Sequence, residues 1–262
     1  MAKKKDIEIG EQAIVVADTQ TKAVALVSSD LLDQMAEVRE NFESIDNPKL
    51  PRAKMRSEGI ELIEGQPLTT QLEGIIVLTK RTNVYYAKPY NPSAITPPDC
   101  YSLDGITPET DMRDRDGNPK KPVSPKCKGC PMAEFGTNTM KSGKACRNLK
   151  PIYVLLDGAI MPRQLTVAPS SLKAANQYLM DLAERGLAYR KVMTRITAFK
   201  KNAADTYMSL KFELARKLND QETLDTEFIR SKWLPIMQSD IVDQSTVDGG
   251  SASPVEDPKG EF

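Results

Sequence analysis

The chain has 262 residues, of which 40% are hydrophobic, and its 36 basic and 36 acidic side chains cancel in the absence of histidine. A chain of this length can form a domain with its own hydrophobic core, and its neutral overall charge points to no partner. The N-terminal residues lack the apolar run of a secretory signal, and the longest apolar runs are too short to cross a membrane. We therefore expect a soluble, cytoplasmic protein without a membrane partner.

Residues 1–50 are expected to form an N-terminal appendage with one helix, because apolar residues recur at helical spacing after a Ser-Ser-Asp start. From Arg52 the pattern changes to two extended segments rich in β-branched and aromatic residues, which predict the first two strands of a sheet. Residues 89–150 are dense in Pro, Gly, Asp and Lys and contain all four cysteines. This composition indicates an insertion rather than a core element.

Regular elements return after the insertion. Two short extended segments precede a helix that ends at Gly186, and two strands with alternating apolar residues follow it. A last helix is expected over residues 219–238, with Pro235 limiting its length. Residues 239–262 are too polar and too rich in small residues to pack, which predicts a disordered acidic tail.

The predicted fold is mainly β with flanking helices, and so belongs to the α+β class. The order of strand, strand, insertion, strand region, helix, strand and strand is that of a five-stranded OB-fold barrel. The barrel would cover residues 51–218, with a four-cysteine zinc-binding insertion at 89–150 between strands 2 and 3. This fold binds oligonucleotides or oligosaccharides more often than it catalyses reactions, but only the sites can decide the function.

The four cysteines have a spacing that favours a metal site. Cys100 stands alone, Cys127 and Cys130 form a C-x-x-C pair, and Cys146 follows after fifteen intervening residues. Two intervening residues allow both sulfurs of a pair to face one ion, and tetrahedral zinc needs four thiolates and no other ligand. Structural zinc is therefore the expected cofactor, and catalytic zinc is disfavoured because no position stays open for water. An iron–sulfur cluster and free or redox-active thiols are the alternatives.

Basic residues are concentrated near these cysteines. Residues 120–150 contain seven lysines and one arginine against one glutamate, a local charge of plus seven, and part of it would offset four thiolates bound to one zinc ion. Elsewhere, basic residues are interleaved with aromatic ones, a mixture that binds single strands through phosphate contacts and base stacking. The candidate nucleic-acid-binding residues are Lys80, Arg81, Tyr85, Tyr86, Lys88, Tyr90, Lys126, Lys128, Lys144, Arg147, Arg190, Lys191, Arg195, Phe199 and Lys200.

From Asp240 onward the sequence contains six acidic residues and ends in an aromatic one. Such a tail can be only a solubilising end, or it can compete with DNA for a basic groove and dock on partner proteins. The candidate partner-binding residues of the tail are Glu256, Asp257, Glu261 and Phe262.

These features resemble those of the single-stranded DNA-binding proteins of tailed bacteriophages. The resemblance is carried by the segments "CKGCPMAEFG", "GKAC", "VAPSSLKAANQYLMDLAERG" and "VEDPKGEF". It implies an OB fold, an acidic tail ending in Phe and, as in some members, a zinc-binding insertion. It also implies sequence-independent binding of single-stranded DNA in phage replication or recombination, in the host cell cytoplasm, with the tail recruiting a polymerase, helicase or primase.

Two other classes of function compete with this one. A zinc-stabilised adaptor would use the basic loop to bind protein, as a transcription regulator or an inhibitor of a host enzyme. An enzyme is disfavoured, because the sequence contains no histidine, no Gly-rich phosphate loop and no G-x-S-x-G motif. The segment "DMRDRDG" at residues 111–117 misses the EF-hand spacing and indicates a charged turn.

Overall fold

The structure is a computed structural model that describes residues 27–46, 48–88, 96–139, 141–202 and 208–242. The helices of this part are α1 (Ser29–Glu43), α2 (Leu172–Glu184) and α3 (Asp220–Ser239). Its strands are β1 (Arg52–Arg56), β2 (Gly59–Glu61), β3 (Gln71–Thr79), β4 (Thr82–Tyr85), β5 (Cys100–Ser102), β6 (Cys146–Leu156), β7 (Arg163–Val167), β8 (Val192–Phe199) and β9 (Ser209–Lys217). The expectations for residues 1–26 and 243–262 lie outside the described residues.

The main sheet has the strand order β2-β1-β7-β6-β3-β8-β9. The β1–β7 pair is parallel, and the other neighbouring pairs are antiparallel. Because β2 lies at one end of this order and also contacts β8 near the other end, the sheet is curled into a half-barrel. Gly74 of β3 permits the close approach of β6, since a Cβ atom there would lie 2.7 Å from the carbonyl oxygen of Leu155.

One face of the curled sheet packs against α2. Alternate residues of β8 point to this face, where Val192, Thr194 and Ile196 are fully buried. The hydroxyl group of Tyr178 in α2 is hydrogen bonded to that of Thr194 at 2.7 Å. The alternation predicted for this strand is confirmed, and Gly186 follows α2 with a φ of +67°, as expected for a residue that ends a helix.

The other face of the sheet packs against α1 and α3. Phe42 of α1 meets Trp233 of α3 edge to face, with ring centroids 5.0 Å apart. The indole N–H of Trp233 donates to the carbonyl oxygen of Ile160 at 2.8 Å, and Met35 and Met237 are buried in the same cluster. The predicted helix of the N-terminal region is confirmed. It belongs to this second hydrophobic core and is not a detached appendage, because its apolar stripe packs against α3 and the sheet.

Strand β6 takes part in two sheets. Its first residues, from Cys146 to Leu149, pair with β4, and the other side of β4 pairs with the short strand β5. From Lys150 onward β6 pairs with β7, and from Ile152 it also pairs with β3. The small sheet of β4, β5 and the start of β6 therefore forms the base of the cysteine-containing insertion.

Several predicted boundaries differ from the observed ones. The first predicted strand is divided into β1 and β2, which form a tight antiparallel hairpin. The second is divided into β3 and β4, because the chain leaves the main sheet at Lys80 and Arg81 to pair with the insertion. The last helix, predicted over residues 219–238, is confirmed as α3, and Pro235 lies within it instead of ending it. A proline removes one backbone donor, but the buried Met237 holds the last turn against the sheet. The α+β class is confirmed.

Candidate metal centre and nucleic-acid interface

Cys100 and Cys146 lie on the two strands that flank β4. Both are paired in register with Tyr85, Cys100 from β5 and Cys146 from β6. Residues that are directly opposite each other on paired strands point to the same face of the sheet. The two cysteines therefore share one face of the small sheet, with one strand between them.

A tight turn places Cys127 and Cys130 near that face. The N–H of Cys130 donates to the carbonyl oxygen of Cys127 at 3.3 Å, and Gly129 has a φ of +78°. A positive φ at the third position of a β-turn favours glycine, so the sequence Cys-Lys-Gly-Cys suits this turn. The N–H of Cys127 donates to the carbonyl oxygen of Ile106 at 3.0 Å, which ties the turn to the segment after β5.

All four cysteines line one cavity of about 20 Å³. Asn83, Tyr101 and Lys126 also line it, and the backbone N–H of Val123 is hydrogen bonded to the sulfur of Cys100. Four thiolates are a suitable donor set for zinc, and a cavity of this size has room for one ion. Among the described residues, no group of three or more potential ligands is arranged closely enough to hold a metal ion. The donor type suits zinc, but the sulfurs are not arranged as a metal site and would have to move closer together to bind one ion.

The cavity disfavours thiolates in the absence of a cation. Burial, and then the charges that the other three cysteines would carry, raise the pKa of Cys146 to about 12. Burial also raises the pKa of Cys100, against the effect of the hydrogen bond from Val123. A positive ion would reverse this balance, because it stabilises the charged form of each sulfur.

The cysteine module, defined as residues 96–139 and 141–150, carries a basic surface in its second half. Two of the basic side chains are engaged or withdrawn from solvent: Lys120 is paired with Asp99 at 2.6 Å, and burial lowers the pKa of Lys150. The exposed ones are Lys121, Lys126, Lys128, Lys141, Lys144 and Arg147. Arg81 is near enough to lower the pKa of Lys150 further, so the basic surface continues onto the β3–β4 turn.

The first half of the module is acidic, and several of its carboxylates stabilise local turns. Asp104 accepts hydrogen bonds from the N–H groups of Ile106 and Thr107, which lowers its pKa. Asp114 accepts bonds from Asn118, which lowers its pKa in the same way. The charged turn predicted at residues 111–117 is therefore part of the module's framework.

Lys80, a predicted DNA contact, supports α3 instead. Its ammonium group donates to the carbonyl oxygens of Met237, Gln238 and Asp240 at 2.9, 3.0 and 2.7 Å. Carbonyl groups at the end of a helix lack partners within the helix, and a cation there also suits the helix dipole. Burial lowers the pKa of Lys80 to about 8, against the attraction of Asp240. With three acceptors engaged, this ammonium group is not available to phosphate.

Two arginines predicted to bind DNA form ion pairs. Arg190 contacts Glu227 of α3 at 2.7 Å, and this partner raises the pKa of the arginine. Arg195 of β8 contacts Glu73 of β3, also at 2.7 Å. Such half-exposed pairs contribute little stability, but the nearby carboxylates reduce the attraction of these arginines for phosphate.

The predicted residues around β8 do not lie in one groove. β3 pairs with β8 from Gln71 onward and with β6 up to Thr79, which is the end nearest the cysteine module. Phe199 and Lys200 follow the part of β8 that pairs with Gln71, so they lie at the far end. Lys191 precedes the strand, on the order of 30 Å from Lys200 at the usual rise per residue.

The remaining predicted contacts lie near the module or outside the described residues. Tyr85 is half-buried on the face of the cysteines, and Lys88 is exposed just after β4. The hydroxyl group of Tyr86 donates to the carbonyl oxygen of Val242 at 3.4 Å. Outside the described residues lie Tyr90, Glu256, Asp257, Glu261 and Phe262.

The first three residues after α3 are anchored to the sheets, although they fall within the predicted tail. The carboxylate of Asp240 accepts hydrogen bonds from Arg52 at 3.1 Å, Tyr153 at 3.1 Å and Gln164 at 2.8 Å. Val242 is fully buried. The predicted start of the tail at residue 239 is therefore wrong, because residues 240–242 have polar and apolar partners on the sheets.

Sequence reasoning did not select Phe135, which is 76% exposed in the cysteine module. The available signal was an aromatic residue flanked by Glu134 and Gly136 in a stretch with few apolar residues.

Comparison of the chain with protein-family models, curated proteins and solved structures gives no significant match. No helix within the described ranges is long and apolar enough to cross a membrane.

Proposed function

We propose that this protein binds single-stranded DNA without sequence preference and acts, without catalytic activity, in phage DNA replication or recombination. The observation that carries the proposal is the basic surface of the cysteine module, with six exposed cations near a cavity lined by four cysteines. Fixed cations bind the phosphate backbone of any sequence. The resemblance to phage single-stranded DNA-binding proteins supports the same function.

The curled sheet is proposed to be an OB barrel with additions. β3, β6 and β7 form an antiparallel meander, α2 follows, and the β8–β9 hairpin returns so that β8 pairs with β3. This is a Greek-key arrangement consistent with an OB fold. On this assignment the insertion lies between the first and second barrel strands, and not between the second and third as the sequence suggested.

Zinc bound by Cys100, Cys127, Cys130 and Cys146 is the proposed cofactor. It would cross-link β5, β6 and the turn between them in a region with few buried apolar side chains. Elemental analysis of protein purified without chelators should find about one zinc ion per chain. Metal-free protein with an ordered module would contradict this assignment.

The phosphate contacts are assigned to the module end of the molecule. The residues that suit this role are Arg81, Lys88, Lys126, Lys128, Lys144 and Arg147, with Tyr85 beside them. Lys80, Arg190 and Arg195 are assigned to the framework, because Lys80 binds the end of α3 and the two arginines pair with Glu227 and Glu73. This assignment keeps the predicted residues near the cysteines and leaves out those around β8, which are Arg190, Lys191, Arg195, Phe199 and Lys200.

Fluorescence anisotropy with a labelled oligothymidylate tests the proposal directly. We expect micromolar or tighter binding that weakens steeply with salt, with a log–log slope of about −0.7 for each phosphate contact. A duplex of the same length is the control. Equal or tighter binding of the duplex would falsify the preference for single strands.

A protein-binding adaptor is the second candidate. Ile106 and Val123 favour it, because these apolar side chains are 65% and 42% exposed on the cysteine module. Retention of a host polymerase or another host enzyme by protein that has no affinity for DNA would support this alternative. Recruitment of a polymerase, helicase or primase through the acidic tail remains a proposal that rests on the resemblance.

A further inference from the structure

Phe135 is the most exposed large apolar side chain among the described residues, at 76%. It lies five residues after Cys130, at the start of a loop that returns to Cys146. Full exposure of a phenyl ring to water is unfavourable, by about 25 cal/mol for each Å² of apolar surface. A ligand that covers this ring would therefore gain binding free energy from the apolar surface that is removed from water.

The loop that carries Phe135 is closed by its own hydrogen bonds. The N–H of Gly136 donates to the carbonyl oxygen of Gly143 at 2.8 Å. The side-chain oxygen of Asn138 accepts the N–H groups of Ser142 at 2.9 Å and Gly143 at 3.0 Å. These bonds fix the backbone on both sides of the turn, so binding a ligand there would require little additional ordering.

The charges of the same loop indicate the nature of that ligand. The Gly136–Gly143 bond brings Phe135 and Lys144 to adjacent positions, and Lys141 lies within the turn. Glu134 is the acidic residue between Lys120 and Lys150, where the sequence carries a net charge of plus seven. A ring beside several cations suits a polyanion with flat faces better than it suits an apolar protein surface.

We propose that Phe135 stacks on a base of the bound single strand while Lys141 and Lys144 hold the neighbouring phosphates. This inference rests on the proposed function and adds a base-binding position to it. The stacking is tolerant of sequence, because every base offers an aromatic face. It places a base contact on the insertion, outside the barrel strands.

Substitution of Phe135 separates stacking from simple apolar contact. Phe135→Ala and Phe135→Leu should both weaken binding of a short oligothymidylate by about 5- to 150-fold, because leucine keeps the apolar volume but lacks the ring face. Phe135→Trp should retain binding. Met180→Ala is the matched control, since Met180 is 57% exposed on α2, outside the module.

Tryptophan fluorescence supplies a second readout. Trp233 is the single tryptophan of the chain and is fully buried, so wild-type emission should change little when DNA binds. In the Phe135→Trp variant, stacking should quench the added emission. Circular dichroism of each variant checks that the fold is retained.

The outcomes distinguish this inference from the proposed function. If wild-type protein binds single strands and Phe135→Ala binds within about twofold of the Met180→Ala control, the stacking role is wrong and the function stands. If Phe135→Leu retains the wild-type affinity and Phe135→Ala loses it, Phe135 makes an apolar contact and does not stack, and the inference is wrong. Absence of binding by the wild type would contradict the function and the inference together.

Discussion

The curled sheet and the cysteine module are stabilised by different means. The sheet is covered on both faces, and its side chains Ile152 and Ile196 are fully buried, as is Trp233 of the covering helix α3. Each side chain buried in this way contributes about 1.5–3 kcal/mol. In the module Met112 and Cys130 are among few buried residues, and turns and hydrogen bonds define the path of the chain. Loss of apolar packing should therefore affect the sheet, and loss of the proposed zinc ion should affect the module.

The largest effect is expected from Trp233→Ala. Removing this ring leaves a cavity between α1, α3 and the sheet, which should lower the free energy of unfolding by about 3–5 kcal/mol. Urea unfolding followed by circular dichroism measures the change. Phe199→Ala removes a partly exposed ring and serves as the control, and a similar loss in both variants would contradict the assignment of the core.

Truncation tests the anchored segment after α3. Deletion of residues 240–262 removes a buried carboxylate and leaves Arg52 without it, which should cost about 3–5 kcal/mol. Deletion of residues 243–262 keeps Asp240 and Val242 and should cost much less. The two truncated chains can be compared by thermal unfolding, and equal midpoints would show that the segment does not anchor the fold.

Loss of the cysteines should have a local effect. Replacing Cys127 and Cys130 by Ser should abolish zinc binding and raise amide exchange rates in residues 97–139 by about tenfold or more. The stability of the sheet should change by less than about 1 kcal/mol, because its hydrophobic clusters do not include these residues. Ser124→Ala, at another residue lining the cavity, is the control. Exchange that rises equally in β3 and β8 would refute the separation of the two regions.

The smallest effect is expected on DNA binding when a single basic residue of either region is replaced. Lys128→Gln should weaken binding of single strands at low salt and reduce the magnitude of the salt slope by about 0.7, the value for one phosphate contact. Arg195→Gln should leave the slope unchanged, because Arg195 is paired with Glu73 on the sheet. Anisotropy titrations at several salt concentrations measure both slopes. A reduced slope for Arg195→Gln and an unchanged slope for Lys128→Gln would show that DNA binds to the sheet and not to the module.

Local periodicity was sufficient to predict several elements. The stripe of Met35 and Phe42 in α1 and the alternation through Val192 and Ile196 in β8 follow from helix and strand geometry. Strand pairing could not be predicted in this way, because the pairing of β1 with β7 joins residues more than a hundred positions apart.

The residues of the candidate site could be predicted from local sequence, but the long-range contacts that bring them together could not. The four cysteines could be selected by spacing, but their common cavity depends on the register that places Cys100 and Cys146 beside Tyr85. The role of Lys80 had no local signal, since the carbonyl group of Met237 that it binds lies 157 residues later in the chain. The sequence around a lysine with tyrosines nearby is the same whether its ammonium group binds phosphate or the end of a helix.

Strand β6 has a mechanical consequence for the two regions. It runs without interruption from Cys146, beside the cavity, to Leu156, among residues of the hydrophobic core. It pairs with β4 as far as Leu149, with β7 from Lys150 and with β3 from Ile152, so the two regions are joined by one continuous strand that is hydrogen bonded along its length. A force exerted on the module by a bound ligand would be transmitted through β6 to the hydrophobic core. The orientation of the module, and of a single strand bound to it as proposed, would therefore be fixed relative to the main sheet.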